Sequence, residues 1–123
     1  MKYRAQVVPG QGRGKSLGFP TFNLEIPPHF SPRPGIYACR VWLGEKAYGG
    51  ALHFGPVPVF NEPQPTLEIF VLDYSLNSGV KRLTFQLLKY LRPIKNFSSP
   101  ESLKRQIAQD IARVSQLLHP KSS

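Results

Sequence analysis

The chain has 123 residues, 41% of them hydrophobic, which suits a single domain able to bury roughly two-thirds of the surface that its unfolded form exposes. Lys and Arg number 16 against 7 Asp and Glu, a formal charge of +9 that favours anionic partners such as nucleotides, nucleic acid or an anionic membrane surface. One cysteine, Cys39, excludes an internal disulfide, and no apolar run reaches the roughly 20 residues of a membrane span, so a soluble protein of the reducing cytoplasm is expected.

Tyr3 to Val8 reads as a first strand, ended by Pro9-Gly10. The next stretch, GQGRGKSLGFPTFN from Gly10 to Asn23, is the most suggestive in the chain. Gly10, Gly12, Gly14 and Gly18 can turn backbone N–H groups onto a ligand, and Arg13 and Lys15 add positive charge to the same loop. That combination suits a polyphosphate. It is not a Walker A loop, because Gly10 to Gly14 encloses three residues before Lys15-Ser16, one too few, and Gly18 and Pro20 stand where a helix would have to open. Pro20 pushes Phe19 into an extended conformation, and Thr21-Phe22-Asn23-Leu24 alternates as a strand does. Thr21 and Asn23 then share a face, where a hydroxyl and an amide oxygen either satisfy nearby backbone groups or serve as hard ligands for a magnesium ion carrying phosphate.

Ile26 to Pro34 holds four of the 13 prolines and reads as an irregular loop. Gly35 to Leu43 is rich in strand formers, and Gly44-Glu45 turns it into a second strand from Ala47 to Phe54. Gly55-Pro56-Val57-Pro58 is expected to break that strand, and Glu62-Pro63-Gln64-Pro65 to end the segment after it. Thr66 to Leu72 is the strongest strand, and Lys81 to Tyr90 is another. Only the end of the chain has helical period. Leu103, Ile107, Ile111, Val114 and Leu118 form one stripe, opened by Ser99 as cap, Pro100 in the first position and Glu101 at the positive end of the dipole. Six short strands and a terminal helix predict a mainly β protein, an antiparallel barrel with the helix packed on it. One domain over residues 1–123 is expected, the barrel spanning about 1–97 and the helix about 99–118.

Gly-x-Gly-Arg-Gly followed by Leu-Gly-Phe-Pro-Thr-x-Asn resembles the signature of the riboflavin kinases. The resemblance continues in order through Gly35-Ile36-Tyr37, Thr66-Leu67-Glu68 and Leu91-Arg92-Pro93-Ile94-Lys95-Asn96-Phe97, and into the helix at Ser99, Glu101, Leu103, Ile107 and Asp110. It implies a six-stranded Greek-key barrel with one C-terminal helix. It also implies transfer of the γ-phosphate of ATP to the 5′-hydroxyl of riboflavin, giving FMN and ADP with magnesium or a similar divalent cation. The chain departs from the family pattern at Pro58-Val59-Phe60, at Ser75-Leu76-Asn77-Ser78-Gly79 and at Phe22. The adenylyltransferase module of bifunctional FAD synthetases and its His-x-Gly-His signature are not found in these 123 residues.

By the resemblance, Gly10, Gly12, Arg13, Gly14, Lys15, Gly18 and Pro20 lie at the nucleotide, and Thr21 and Asn23 at both nucleotide and metal. Glu68 takes the place of the family's catalytic glutamate. The residues alone place it mid-strand with Phe70 and Leu72, either at a barrel mouth or on a mixed outer surface, where a carboxylate can accept the proton of an alcohol. Arg92, Phe97, Leu103 and Ile107 are carried over to the flavin site, beside Glu68. Cys39 and Trp42 read as packing residues, and His29, His53 and His119 show no metal-ligand spacing. A monomer acting on small molecules, with neither nucleic acid nor membrane as partner, is the expected form. Two other readings remain open. One is a basic barrel that binds nucleic acid through Tyr37, Trp42 or Phe54; the other is a flavin-binding homologue without turnover.

Overall fold

In a computed structural model, which describes residues 1–9, 17–57, 62–75 and 79–118, the chain forms six strands before its terminal helix. They are β1 (Lys2–Val8), β2 (Phe22–Leu24), β3 (Gly35–Leu43), β4 (Lys46–Val57), β5 (Glu62–Val71) and β6 (Arg82–Arg92). All neighbours are antiparallel, in the closed order β1-β2-β5-β4-β3-β6. β3, β4 and β5 follow one another and β6 returns beside β3, which is the Greek-key connection. Closure leaves no free sheet edge.

The inward set includes Phe22, Leu24, Tyr37, Cys39, Val41, Leu52, Phe54, Leu67, Ile69, Leu83 and Phe85, all buried. Phe30, from the proline-rich loop, joins them. Its ring meets those of Tyr3, Phe54 and Phe85 edge-on at 4.8, 5.1 and 5.5 Å, so a residue outside any strand plugs the barrel. Cys39 is fully enclosed, and burial pushes its thiol far above the ordinary range.

The helix α1 (Pro100–Leu118) begins as its sequence predicts, with Ser99 Oγ accepting from the N–H of Ser102 at 3.2 Å. Val114, Ile111 and Leu118 pack on a second apolar cluster outside the barrel, built on Ile36, Ala38, Leu72 and Leu91. Leu103 and Ile107 stay half-buried and lie outside both clusters.

Two strands run further than their prolines suggest. β4 continues to Val57 and β5 begins at Glu62, with a register shift between Gly55 and Val57. The pairs Gly55↔Thr66 and Val57↔Glu62 bracket Pro63 and Pro65, so the irregularity absorbs residues that have no N–H to give the ladder. β6 likewise extends to Arg92, which therefore sits in the sheet rather than in the following loop.

Gly35 has φ 156°, and a Cβ there would lie 2.5 Å from Arg92 O and 2.6 Å from the Tyr90 ring. Gly18 has φ 89° but open space where a Cβ would go. Gly35→Ala should therefore lower unfolding free energy by about 2–4 kcal/mol, and Gly18→Ala by only about 1 kcal/mol. Thermal unfolding of the two variants checks the difference.

Candidate functional site

Because alternate residues of a strand face opposite ways, burying Leu67 and Ile69, Leu52 and Phe54, and Phe22 and Leu24 turns Glu68, His53 and Asn23 outward. Register then lines them up. Asn23 pairs with Glu68, Glu68 with His53, His53 with Ile36, and Ile36 with Arg92, one row across five strands on the outer wall. Of the two positions open to Glu68, the structure has the mixed outer surface, half-buried.

Glu68 is held on both oxygens. Thr21 donates to Oε1 at 3.0 Å and Thr66 donates to Oε2 at 3.0 Å. Thr66 Oγ1 also lies 3.3 Å from Nδ1 of His53, whose Nε2 is 3.2 Å from the carbonyl of Pro56. Burial holds the His53 ring below the ordinary imidazole range, the Glu68 charge pulling the other way and Arg92 adding to the lowering. The cluster thus presents a carboxylate, two hydroxyls, an amide and a neutral imidazole. A carboxylate steadied on both oxygens and open on its outer side can accept a proton from an alcohol. Thr21 and Asn23 carry hard oxygens of the kind a magnesium ion takes.

Arg92 closes the row at the helix. Its Nε and Nη2 donate to Asp110 at 2.9 and 2.7 Å, and Nη1 donates to the carbonyl of Pro93 at 3.0 Å. Gln106 adds a third hydrogen bond to Asp110, at 3.0 Å. The guanidinium also stands 5.9 Å from the ring of Phe97. Strand end, loop and helix are joined through this one cation.

The structure therefore brings Thr21, Asn23 and Glu68 together, and places Arg92 and Phe97 along the same wall, beside α1. Gly18 lies in a turn and Pro20 stands two residues ahead of β2. Gly10, Gly12, Arg13, Gly14 and Lys15 lie outside the described residues, as do Pro58-Val59-Phe60, Leu76 to Ser78 and His119. His53 and Thr66 are the residues that sequence reasoning did not connect with Glu68. The signal was there in period two, since Thr66 and Glu68 share a face, but His53 needed the β4–β5 register. Of the aromatic platforms considered for nucleic acid, Tyr37 and Phe54 face the barrel core, and Lys2 Nζ covers Trp42 at 4.2 Å from its ring centre.

A family model described as Flavokinase, riboflavin kinase, matches residues 1–118. The chain belongs to the riboflavin kinase family. It is 35% identical over 106 residues to the bifunctional riboflavin kinase/FMN adenylyltransferase of Escherichia coli K12, which covers 85% of this chain and 34% of that protein. It is 33% identical over 109 residues to the RNA-binding riboflavin kinase RibR of Bacillus subtilis, covering 88% of this chain and 47% of that one. The chain thus spans about a third of the Escherichia coli relative, 34%. A crystal structure described as a macrolide-efflux protein from Streptococcus pneumoniae superposes with a TM-score of 0.79 at 24% identity, over 92% of this chain and 38% of that one. At that identity it shows the barrel-and-helix fold alone. Among the described residues no helix is long and apolar enough to cross a membrane.

Two outcomes follow from the geometry. The side chains of Arg92 and Asp110 are only 10% and 8% exposed, so Asp110→Ala strands a buried cation and should cost about 3–5 kcal/mol in chemical denaturation. Burial lowers the pKa of His53 in the folded chain below the ordinary imidazole value of 6.5, so in mildly acid solution the unfolded chain binds more protons. Its contribution to stability should be full above pH 6.5 and fall as pH drops below it; in His53→Gln, melting temperature against pH should be flatter over that interval.

Proposed function

We propose that this chain transfers the γ-phosphate of ATP to the ribityl 5′-hydroxyl of riboflavin, giving FMN and ADP. The observation that carries this reading is the joining of Thr21, Asn23 and Glu68 on one outward patch of the wall, in a member of the riboflavin kinase family. Phosphoryl transfer to an alcohol needs charge neutralisation, in-line placement and a proton acceptor.

Glu68 is the proton acceptor for the 5′-hydroxyl. Thr21 has a lone pair left after donating to Glu68, and Asn23 is the register partner of Glu68 one strand away, so the hydroxyl and amide of the two suit a divalent cation carrying the nucleotide phosphates. That cation, when bound, supplies Lewis-acid neutralisation of the phosphate oxygens. Gly10, Gly12, Arg13, Gly14, Lys15, Gly18 and Pro20 are the residues that the family resemblance assigns to the phosphates. With its charge paired to Asp110 and three of its N–H groups given to Asp110 and Pro93, the part of Arg92 in flavin binding is to hold the wall beside Phe97 rather than to offer a free charge. Leu103 and Ile107, left half-buried by the packing of α1, are the apolar surface assigned to the flavin ring.

Formation of labelled FMN from riboflavin, labelled ATP and magnesium tests the reading, and its absence under saturating substrates refutes it. Glu68→Gln should lower turnover by about 10²–10⁴-fold while leaving nucleotide affinity by calorimetry nearly unchanged. A variant with turnover equal to that of the parent would remove Glu68 from the mechanism.

A further inference from the structure

His53 has so far only been a neighbour of Glu68. The hydrogen-bond directions around it say more. The carbonyl of Pro56 can only accept, so the 3.2 Å contact with Nε2 places the ring proton there. Nδ1 of the neutral ring then turns a lone pair to Thr66 Oγ1 at 3.3 Å. The Thr66 hydroxyl has one proton and three acceptors within reach: Glu68 Oε2 at 3.0 Å, His53 Nδ1 at 3.3 Å and Gly55 O at 3.5 Å. While Glu68 is a carboxylate, it and His53 compete for that proton.

The competition disappears once Glu68 holds a proton. Glu68 then donates to Thr66, Thr66 to His53 and His53 to Pro56, while Thr21 still donates to the other carboxyl oxygen. Every donor and acceptor in the chain is satisfied in one direction. We infer that His53 is a positioning residue for phosphoryl transfer: by giving the Thr66 hydroxyl a second acceptor, it frees Glu68 to take the alcohol proton and completes the network when Glu68 has done so. This deepens the kinase reading and rests on it.

In the step itself, the alcohol oxygen bonds to the γ-phosphorus as the bond to the leaving diphosphate breaks. The alcohol proton goes to Glu68 and the Thr66 proton turns from Glu68 to His53, with no proton added to the imidazole. Burial supports a neutral ring. The charged groups facing it are Glu68 from β5 and Arg92 from β6, the latter tied to Asp110 of α1.

The test separates this inference from the function it serves. In the ¹⁵N-labelled chain at pH 7.5, nitrogen NMR should show His53 as the Nε2–H tautomer; an Nδ1–H ring overturns the inference whether or not the chain has turnover. In the FMN-forming assay, His53→Leu and Thr66→Val should each lower kcat at least about tenfold, with both KM values within about twofold. The double variant should be no worse than either single one, because both cut the same path. His53→Asn keeps an acceptor near the place of Nδ1, and Thr66→Ser keeps the hydroxyl, so both should recover most of the loss. Unchanged kcat in His53→Leu, or His53→Asn as impaired as His53→Leu, would overturn the inference while leaving the kinase reading intact; a parent chain that forms no FMN overturns both.

Discussion

β2 holds three residues, yet the site cannot exist without its pairing. It bonds to β1 through Val7↔Leu24 and Val8↔Asn23 and to β5 through Phe22↔Ile69, Asn23↔Glu68 and Leu24↔Leu67, and these two ladders complete the ring of strands. Burial of Phe22 and Leu24 in the core specifies the register, since a slip of one residue would expose both apolar side chains and turn Asn23 inward. Chemistry on the outer wall is therefore set by packing on the inner one. Thr21, just ahead of the strand, reaches Glu68 only because its neighbour is locked in this way.

The second constraint is the ion pair under α1. Arg92 and Asp110 are 18 positions apart in sequence but share two hydrogen bonds, with Gln106 and Pro93 completing the set. Desolvating two charges gives little net stability even when the geometry is good, whereas it makes other placements of the helix expensive. Val114 and its apolar neighbours supply the attraction. The pair selects how α1 lies across the barrel, and with it how Leu103 and Ile107 are left standing beside the row of polar residues.

Much of this was legible before any coordinates. Strand-forming residues between Gly and Pro breaks marked most strands, and Ser99-Pro100-Glu101 marked the helix start, because both signals are local. Thr21, Asn23 and Glu68 could be singled out by residue type and by family resemblance. What stayed hidden was non-local. The prolines of β5 read as a stop because the bulge that takes them up exists only in the pairing with β4, where Gly55 to Val57 runs opposite Thr66 to Glu62. Phe30 gave no period to follow, since it enters the core from a loop. His53 looked isolated because nothing within three or four residues of it titrates; its partner lies on the next strand, 15 positions away.

Cys39 has a use as a clock. Its sulfur is walled in at the middle of β3, and an un-ionised, enclosed thiol is inert toward alkylating reagents. Modification then requires the strands around it to part, so the labelling rate in buffer counts excursions of the barrel itself and ignores fraying at the chain ends. A ligand that clamps the wall would register as slower capture of a group it never touches.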